Sequence, residues 1–409
     1  MNKGRLGKVL LCSLFFGAGA NISGRAVTPE DQPDRLISGY TRFGIGLFSD
    51  IFGGEPEKNI FLSPSSVAVA LAMTSSGAAG ATEEAMASVL GFAGMDRDEV
   101  FRANASLMDS LENLDPEIQL EIANSLWSRE GTAFRPEFLQ TNRDFFRAEV
   151  TALDFSRPEA PETINDWVGR KTHQRIQKIV DKIDPLSILF LMNAIYFKGK
   201  WTEEFDPART NDLPFHAAGE RPKNVPMMSR HGKFQYLEGD DFQAVKLPYG
   251  KRRVSLTVFL PANDSSLKAF VQKLDLDNWN RWRSEFEQAE GEVILPKFKI
   301  GYEKSLNEPL MRLGMTIAFD SEQADFGRMC ETPPVVYINE VKHKSYVDVN
   351  EEGTEAAAVT AVEMRVASAP PPRKTFRMVV DRPFLFAIQD DRTGLLLFLG
   401  SIADPQPDK

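Results

Sequence analysis

Four histidines, two cysteines and scattered carboxylates are the side chains in this 409-residue chain with an obvious capacity for catalysis or metal binding. His173, His216, His231 and His343 lie far apart and have no metal-ligand spacing. The sequence contains no G-x-S-x-G turn to raise a serine nucleophile, no H-E-x-x-H helix, no phosphate-cradling glycine loop and no dinucleotide fingerprint. These residues therefore nominate no catalytic group, no metal ligand and no cofactor. Arg170, Lys171, Arg175, Lys178 and Lys182 form a basic stripe over an expected helix, which reads as a solvated face rather than a polyanion site. The unusual chemistry lies in the backbone instead. From Glu351 the chain runs EEGTEAAAVTAVEMRVASAPPPRK, a long proline-free stretch of small residues closed by Pro370 to Pro372. Alanine favours helix, while Thr354, Val359, Thr360 and Val362 favour strand, so the local signals conflict.

The elements around that stretch are those of an ordinary globular protein. Hydrophobic residues make up 42% and charged residues 26%, enough to bury a sizeable core. A net charge of −10 gives no basic footprint for nucleic acid or an anionic membrane. Leu36, Tyr40, Phe43, Leu47 and Ile51 share one helical face. In NIFLSPSSVAVALAM a short strand leads into a helix with Ser63 as cap and Pro64 at its first position. Alternation at Ile118, Leu120 and Ile122 predicts a strand, and SILFLMNAIYF (187–197) predicts one buried on both faces. Further strands are expected at 254–260, 293–300, 345–349 and 395–399. With helices in the first half and strands in the second, the fold class is α+β with a large mixed sheet.

The first twenty residues, MNKGRLGKVLLCSLFFGAGA, place Lys3, Arg5 and Lys8 before a short apolar run and end on Ala18-Gly19-Ala20, the layout of a secretory signal. Cleavage after Ala20 would take the net charge from −10 to −13 and leave Cys330 without a partner for an intrachain disulfide. Leucines just before Cys12 argue against a lipid anchor there, and no other apolar run approaches the ~18 to 20 residues that span a bilayer. A secreted, extracellular protein is the expectation, or a periplasmic one in a bacterium.

Six segments occur in the order and spacing of one family: NIFLSPSSVAVALAM, INDWVGRKTHQRI, LMNAIYFKGKW, VILPKFKI, HKSYVDVNEEGTEAAA and DRPFLFAIQDDRTGLLLFLG. Over about residues 35 to 405 the chain resembles the serpins, the serine protease inhibitors. The resemblance implies residues 1–20 as signal peptide, 21–34 as a flexible segment, and 35–409 as one domain of helices around three β-sheets with an exposed reactive-centre loop at about 353–375. It implies no enzyme but a suicide substrate: a protease cleaves the loop, and the loop's first half enters the main sheet as a new strand. A non-inhibitory serpin acting as carrier, chaperone or decoy substrate is the alternative.

That resemblance gives the ambiguous stretch a physical reading. In strand spacing Thr354, Ala356, Ala358, Thr360 and Val362 share one face, and all are small enough to slip over an existing core. Proline is absent because a central strand must donate on both sides. A dozen inserted residues at ~0.5 to 1.5 kcal/mol per net backbone bond supply on the order of 10 kcal/mol. The implied hinge is Glu351, Gly353, Thr354, Glu355, Ala356, Ala357 and Ala358. Loop length counted from Gly353 places the reactive bond at Ala367–Ser368, suiting an elastase-like or subtilisin-like serine protease. The loop is longer than is common in the family, so Arg365, which would invite a trypsin-like enzyme, Val366 and Met364 remain alternatives. Ser63, Ser66, Asn193 and His343 match the family's shutter beneath the sheet, and Trp201 matches the breach where the loop first enters. A monomer without cofactor, nucleic acid or membrane partner is implied.

Overall fold

The computed structural model describes residues 32–112, 114–184, 187–217, 221–330, 336–354 and 375–405. The first part of the chain is helical: α1 (Gln32–Gly54), β1 (Ile60–Leu62), α2 (Pro64–Ser75), α3 (Gly80–Leu90) and α4 (Arg97–Glu112). There follow β2 (Ile118–Arg129), α5 (Pro136–Phe146), β3 (Glu149–Leu153), α6 (Ala160–Lys171) and β4 (Leu189–Lys200). The middle comprises β5 (Asn211–Phe215), β6 (Lys223–Glu238), β7 (Phe242–Tyr249), β8 (Val254–Pro261), α7 (Leu267–Val271) and α8 (Leu276–Glu285). The last part holds β9 (Glu287–Pro296), β10 (Phe298–Ser305), α9 (Asn307–Leu310), β11 (Lys342–Asn350), β12 (Gly353–Thr354), β13 (Thr375–Val379), β14 (Phe384–Asp390) and β15 (Leu396–Ile402).

Hydrogen bonding joins the described strands into two mixed networks. The larger runs β1-β15-β14-β8-β7-β6-β9-β13, with β5 also on β6. The long β6 belongs to two layers at once: residues 235–238 pair with β7, while 223–227 pair with β5. The smaller network runs β10-β11-β12-β4-β2-β3. Its centre is peculiar, because β11 and β4 are joined through the two residues of β12 alone among the described pairings.

α2 forms where the sequence predicts it. The Ser63 hydroxyl caps it by accepting from the Ser66 amide, and Pro64 occupies the first turn, where its missing N–H is harmless. Almost all of α2 is buried beneath β4 and β15, so its run of alanine and valine serves close packing on every side. α1 buries Leu36, Tyr40, Phe43, Leu47 and Ile51 as patterned, and also Ile45, Phe48 and Phe52, because it packs against α2, α4 and β15. Asn104, in an N-x-S triplet, is fully buried, accepting from the Tyr40 hydroxyl and donating to the Val100 carbonyl.

Three local expectations need correction. The single strand at 293–300 is two strands in different networks, with the crossing at Pro296-Lys297, where proline cannot extend the ladder. The strand at 187–197 is buried only from Ala194 to Phe197; residues 189–193 are half-buried. The basic stripe is not one helix: α6 ends at Lys171, and His173 and Gln174 take φ of 48° and 64°, turning the chain so that Arg175, Lys178 and Lys182 leave the helix axis.

Candidate functional site

The hinge meets the sheet at one end of the seam between β11 and β4. Gly353 stands opposite Asn350 and Lys200, and Thr354 opposite Val349 and Gly199, both antiparallel. Gly353 has φ of 150°, and a Cβ there would lie 2.0 Å from the Gly199 carbonyl oxygen and 2.8 Å from the Lys200 Cα, so only glycine fits this close backbone approach. Thr354 is 2% exposed, and its hydroxyl lies 2.8 Å from that of Tyr249. Burial pushes the Tyr249 phenol far above its usual range, so it stays a neutral hydrogen-bonding group.

Trp201 stacks flat on Tyr249, ring centroids 4.4 Å apart, and donates its indole N–H to the Asn350 carbonyl at 2.9 Å. The Trp201 and Phe205 amides donate to the carbonyls of Glu352 and Glu351, each at 2.8 Å. Glu351 is nearly buried; its carboxylate accepts from the Thr210 hydroxyl at 2.8 Å and pairs with Lys297 at 3.0 Å. Burial works to raise its pKa, but Thr210 and Lys297 outweigh it and hold the group below the ordinary carboxylate range. Glu352 is pushed the other way, by burial and then by the neighbouring Glu204 charge.

A second polar cluster lies under the same seam. The Ser66 hydroxyl donates to Asn193 Oδ1, and Asn193 donates in turn to Asn124, whose amide reaches the Phe146 carbonyl at 2.6 Å. Across the seam, His343 Nε2 accepts from the Ser63 amide at 3.2 Å, and Ser345 donates to the Phe61 carbonyl at 2.6 Å. Ser63 itself donates to the Leu397 carbonyl at 2.9 Å. Ser66 thus ties α2 to β4, whereas Ser63 ties its cap to β11. The acceptor role of Nε2 places the imidazole proton on Nδ1, and burial drives the His343 pKa down to about 4.

The segment after α6 crosses the outer face of the seam. His173 reaches Glu121 on β2 at 3.0 Å and packs on the Tyr196 ring of β4. Arg175 covers the Tyr346 ring of β11, and Lys344 donates to the Lys178 carbonyl at 3.0 Å. Asn165 of α6 pins the segment by accepting from the amides of Ile179 and Val180 and donating to the Val180 carbonyl.

The structure therefore brings Trp201, Glu351, Gly353 and Thr354 together at the seam's end, and Ser63, Ser66, Asn193 and His343 beneath it. Glu355, Ala356, Ala357 and Ala358 of the hinge and Ala367, Ser368, Arg365 and Val366 of the reactive bond lie outside the described residues. Tyr249, Lys297, Thr210 and Asn124 were missed by the sequence reading, since nothing local marks residues that meet from so far apart along the chain. His173, His216 and His231 are exposed and do not gather, and no group of three or more His, Cys, Asp or Glu among the described residues could hold a metal ion.

A family model described as serpin (serine protease inhibitor) matches residues 38–405. The chain belongs to the serpin family. Human Serpin B8 is 35% identical over 380 residues, covering 91% of this chain and all of that protein. The bovine leukocyte elastase inhibitor is 36% identical over 384 residues, with the same coverage. Among solved structures, the native thermophilic serpin tengpin superposes with a TM-score of 0.83 at 30% identity, covering 94% of this chain and 96% of that one. The cleaved Serpin 42Da gives 0.82 at 28%, covering 93% and 100%. These similarities correct the expectation of a secreted, extracellular or periplasmic protein drawn from the first twenty residues. The Serpin B and leukocyte elastase inhibitor relatives are intracellular proteins and point away from export. A charged start followed by a short apolar run is a weak signal, because few residues define it.

Proposed function

We propose that this serpin traps serine proteases with an elastase-like or subtilisin-like pocket, being cleaved once between Ala367 and Ser368 and then holding the acylated enzyme. The observation that carries the reading is β12: Gly353 and Thr354 already pair with both β11 and β4, the first rung of a ladder that the following residues can extend. Continuing that register sets Ala356 between Phe197 and Val347, Ala358 between Ile195 and Ser345, and Thr360 between Asn193 and His343. Small side chains then cover the buried faces of both strands, and the Thr360 hydroxyl meets the polar cluster on either side of the seam. Successive inserted residues gain backbone partners alternately on β4 and on β11, which supplies the driving force.

In this reading residues 35–409 act as one body bearing the loop at about 353–375. The chain works as a monomer, needs no cofactor, nucleic acid or membrane, and is a consumed substrate rather than a catalyst. The name of the leukocyte elastase inhibitor relatives supports the elastase-like class. Should the bond lie after Arg365, the target would be trypsin-like; Val366 would again suit an elastase-like pocket. Incubation with elastase, subtilisin and trypsin is expected to give an SDS-stable complex with the first or second, and mass spectrometry of the released peptide fixes the bond. Clean cleavage without complex by all three, or an unchanged melting temperature after cleavage, would favour a carrier, chaperone or decoy instead.

A further inference from the structure

The segment from Trp201 to Asp206 grips the hinge through the two amides of Trp201 and Phe205, so whatever holds that segment holds the entry point. Its first half is tied to the end of β7 and the turn after it: the Thr202 amide donates to the Pro248 carbonyl at 2.8 Å and its hydroxyl to the Gly250 carbonyl at 2.7 Å. Its second half is tied to β6 by Arg230. The Arg230 side chain is only 12% exposed, and its guanidinium lies 4.5 Å from the centre of the Phe234 ring and 5.4 Å from that of Phe205. Its Nη1 donates to the Glu203 carbonyl. The Glu203 carboxylate stands 3.9 Å away and is held at 2.8 Å by Arg252, so compensation of the Arg230 charge is partial. Nε is buried and has no partner among the described residues. Burying a guanidinium on such terms is unfavourable in itself, and what it secures is the position of Glu203 and Phe205.

We infer that Arg230 is a positioning residue for strand entry: by clamping Glu203 and Phe205 it presets the amides that receive the Glu351 and Glu352 carbonyls, and so decides what fraction of cleaved molecules trap their protease. The inference rests on the trapping reading above. Its signature is a split, in which the partition between trapped and released enzyme changes while the rate of loop cleavage, set by the loop's own sequence, does not. Lysine cannot replace it, because a point ammonium neither stacks between two rings nor carries the planar donor.

The test compares wild type with R230M, which keeps the apolar stem, and with R230K. Both are expected to raise the stoichiometry of inhibition of elastase roughly tenfold, the low end of the effect of losing one charge-assisted hydrogen bond. Loop cleavage should stay within about twofold, and amide exchange over 201–206 should accelerate. A folded R230M with unchanged stoichiometry overturns the inference. So does a rise in stoichiometry with no change in exchange over 201–206, which marks a general loss of stability. If R230M fails to fold, F205L removes one ring from the clamp and is read in the same way. If wild type forms no complex with any protease, the trapping reading fails, and the exchange comparison still decides whether Arg230 holds this segment.

Discussion

His343 makes the seam sensitive to acid in a way that can be calculated. Burial lowers its pKa from 6.5 to about 4, so as pH falls the unfolded chain takes up the proton before the native protein does. The stabilisation is complete above pH 6.5 and is lost progressively as pH falls towards 4. Linkage between those two values gives about 2 kcal/mol lost by pH 5 and a ceiling of about 3 kcal/mol below pH 4. Protonation also removes the acceptor of the Ser63 amide, the contact that ties the cap of α2 to β11. Glu303 and Glu351, which are held below the ordinary carboxylate range, weaken in the same direction, so wild type alone does not isolate the histidine. The isolating variant is H343Q, whose amide oxygen can accept from Ser63 but cannot titrate. Urea unfolding of the intact protein, followed by tryptophan fluorescence between pH 7.5 and 5, should show wild type losing about 2 kcal/mol relative to H343Q. Parallel stability curves, or a wild type that gains on the variant as pH falls, would show that His343 is not buried neutral.

Gly353→Ala should evict the hinge, because the new Cβ would meet the Gly199 carbonyl at 2.0 Å at a φ of 150°; overpacking and backbone strain together come to roughly 2 to 5 kcal/mol. Faster amide exchange at Thr354 and Gly199 is the readout, and protection equal to wild type would refute the close approach. Thr354→Arg places an uncompensated charge where the hydroxyl is buried against Tyr249, at a cost of several kcal/mol. Gels of elastase reactions should then show cleaved inhibitor in place of complex; undiminished complex would remove this residue from the entry path. Asn165→Ala deletes three hydrogen bonds to Ile179 and Val180, roughly 2 to 4 kcal/mol of local stability. Exchange over 172–184 should rise strongly, and a rise confined to α6 would contradict the pinning described here. Thr360→Val keeps shape and loses the hydroxyl, so cleaved protein should melt lower relative to intact protein than wild type does; an equal interval between the two forms would displace Thr360 from the seam.

Much of the secondary structure is legible in local pattern. The helix face from Leu36 to Ile51, the Ser63-Pro64 start of α2 and the strands near Ile118 and Val254 follow from spacing, capping and β-branched runs. The errors fall where tertiary context overrides a run of similar residues. Pro296 hands the chain from one network to another inside what reads as a single strand, and the positive φ at His173 and Gln174 breaks a helix that charge spacing would continue. Burial of β4 fails at 189–193 for a different reason, since how much of an apolar run is covered depends on what packs over it, which the run itself does not specify.

The sequence by itself determined that Glu351 to Val362 could live as a strand: small residues alternate on one face, proline is excluded, and Gly353 is free to take a backbone angle that other residues resist. Those are properties of single residues and of period two. Tertiary structure alone decided where such a strand would go, by bringing Gly199, Trp201, Tyr249 and Lys297 to the hinge and His343 and Asn193 to opposite sides of the seam. Contacts between residues fifty or more positions apart carry no local signature, because each partner satisfies its own element's pattern whether or not the other is there.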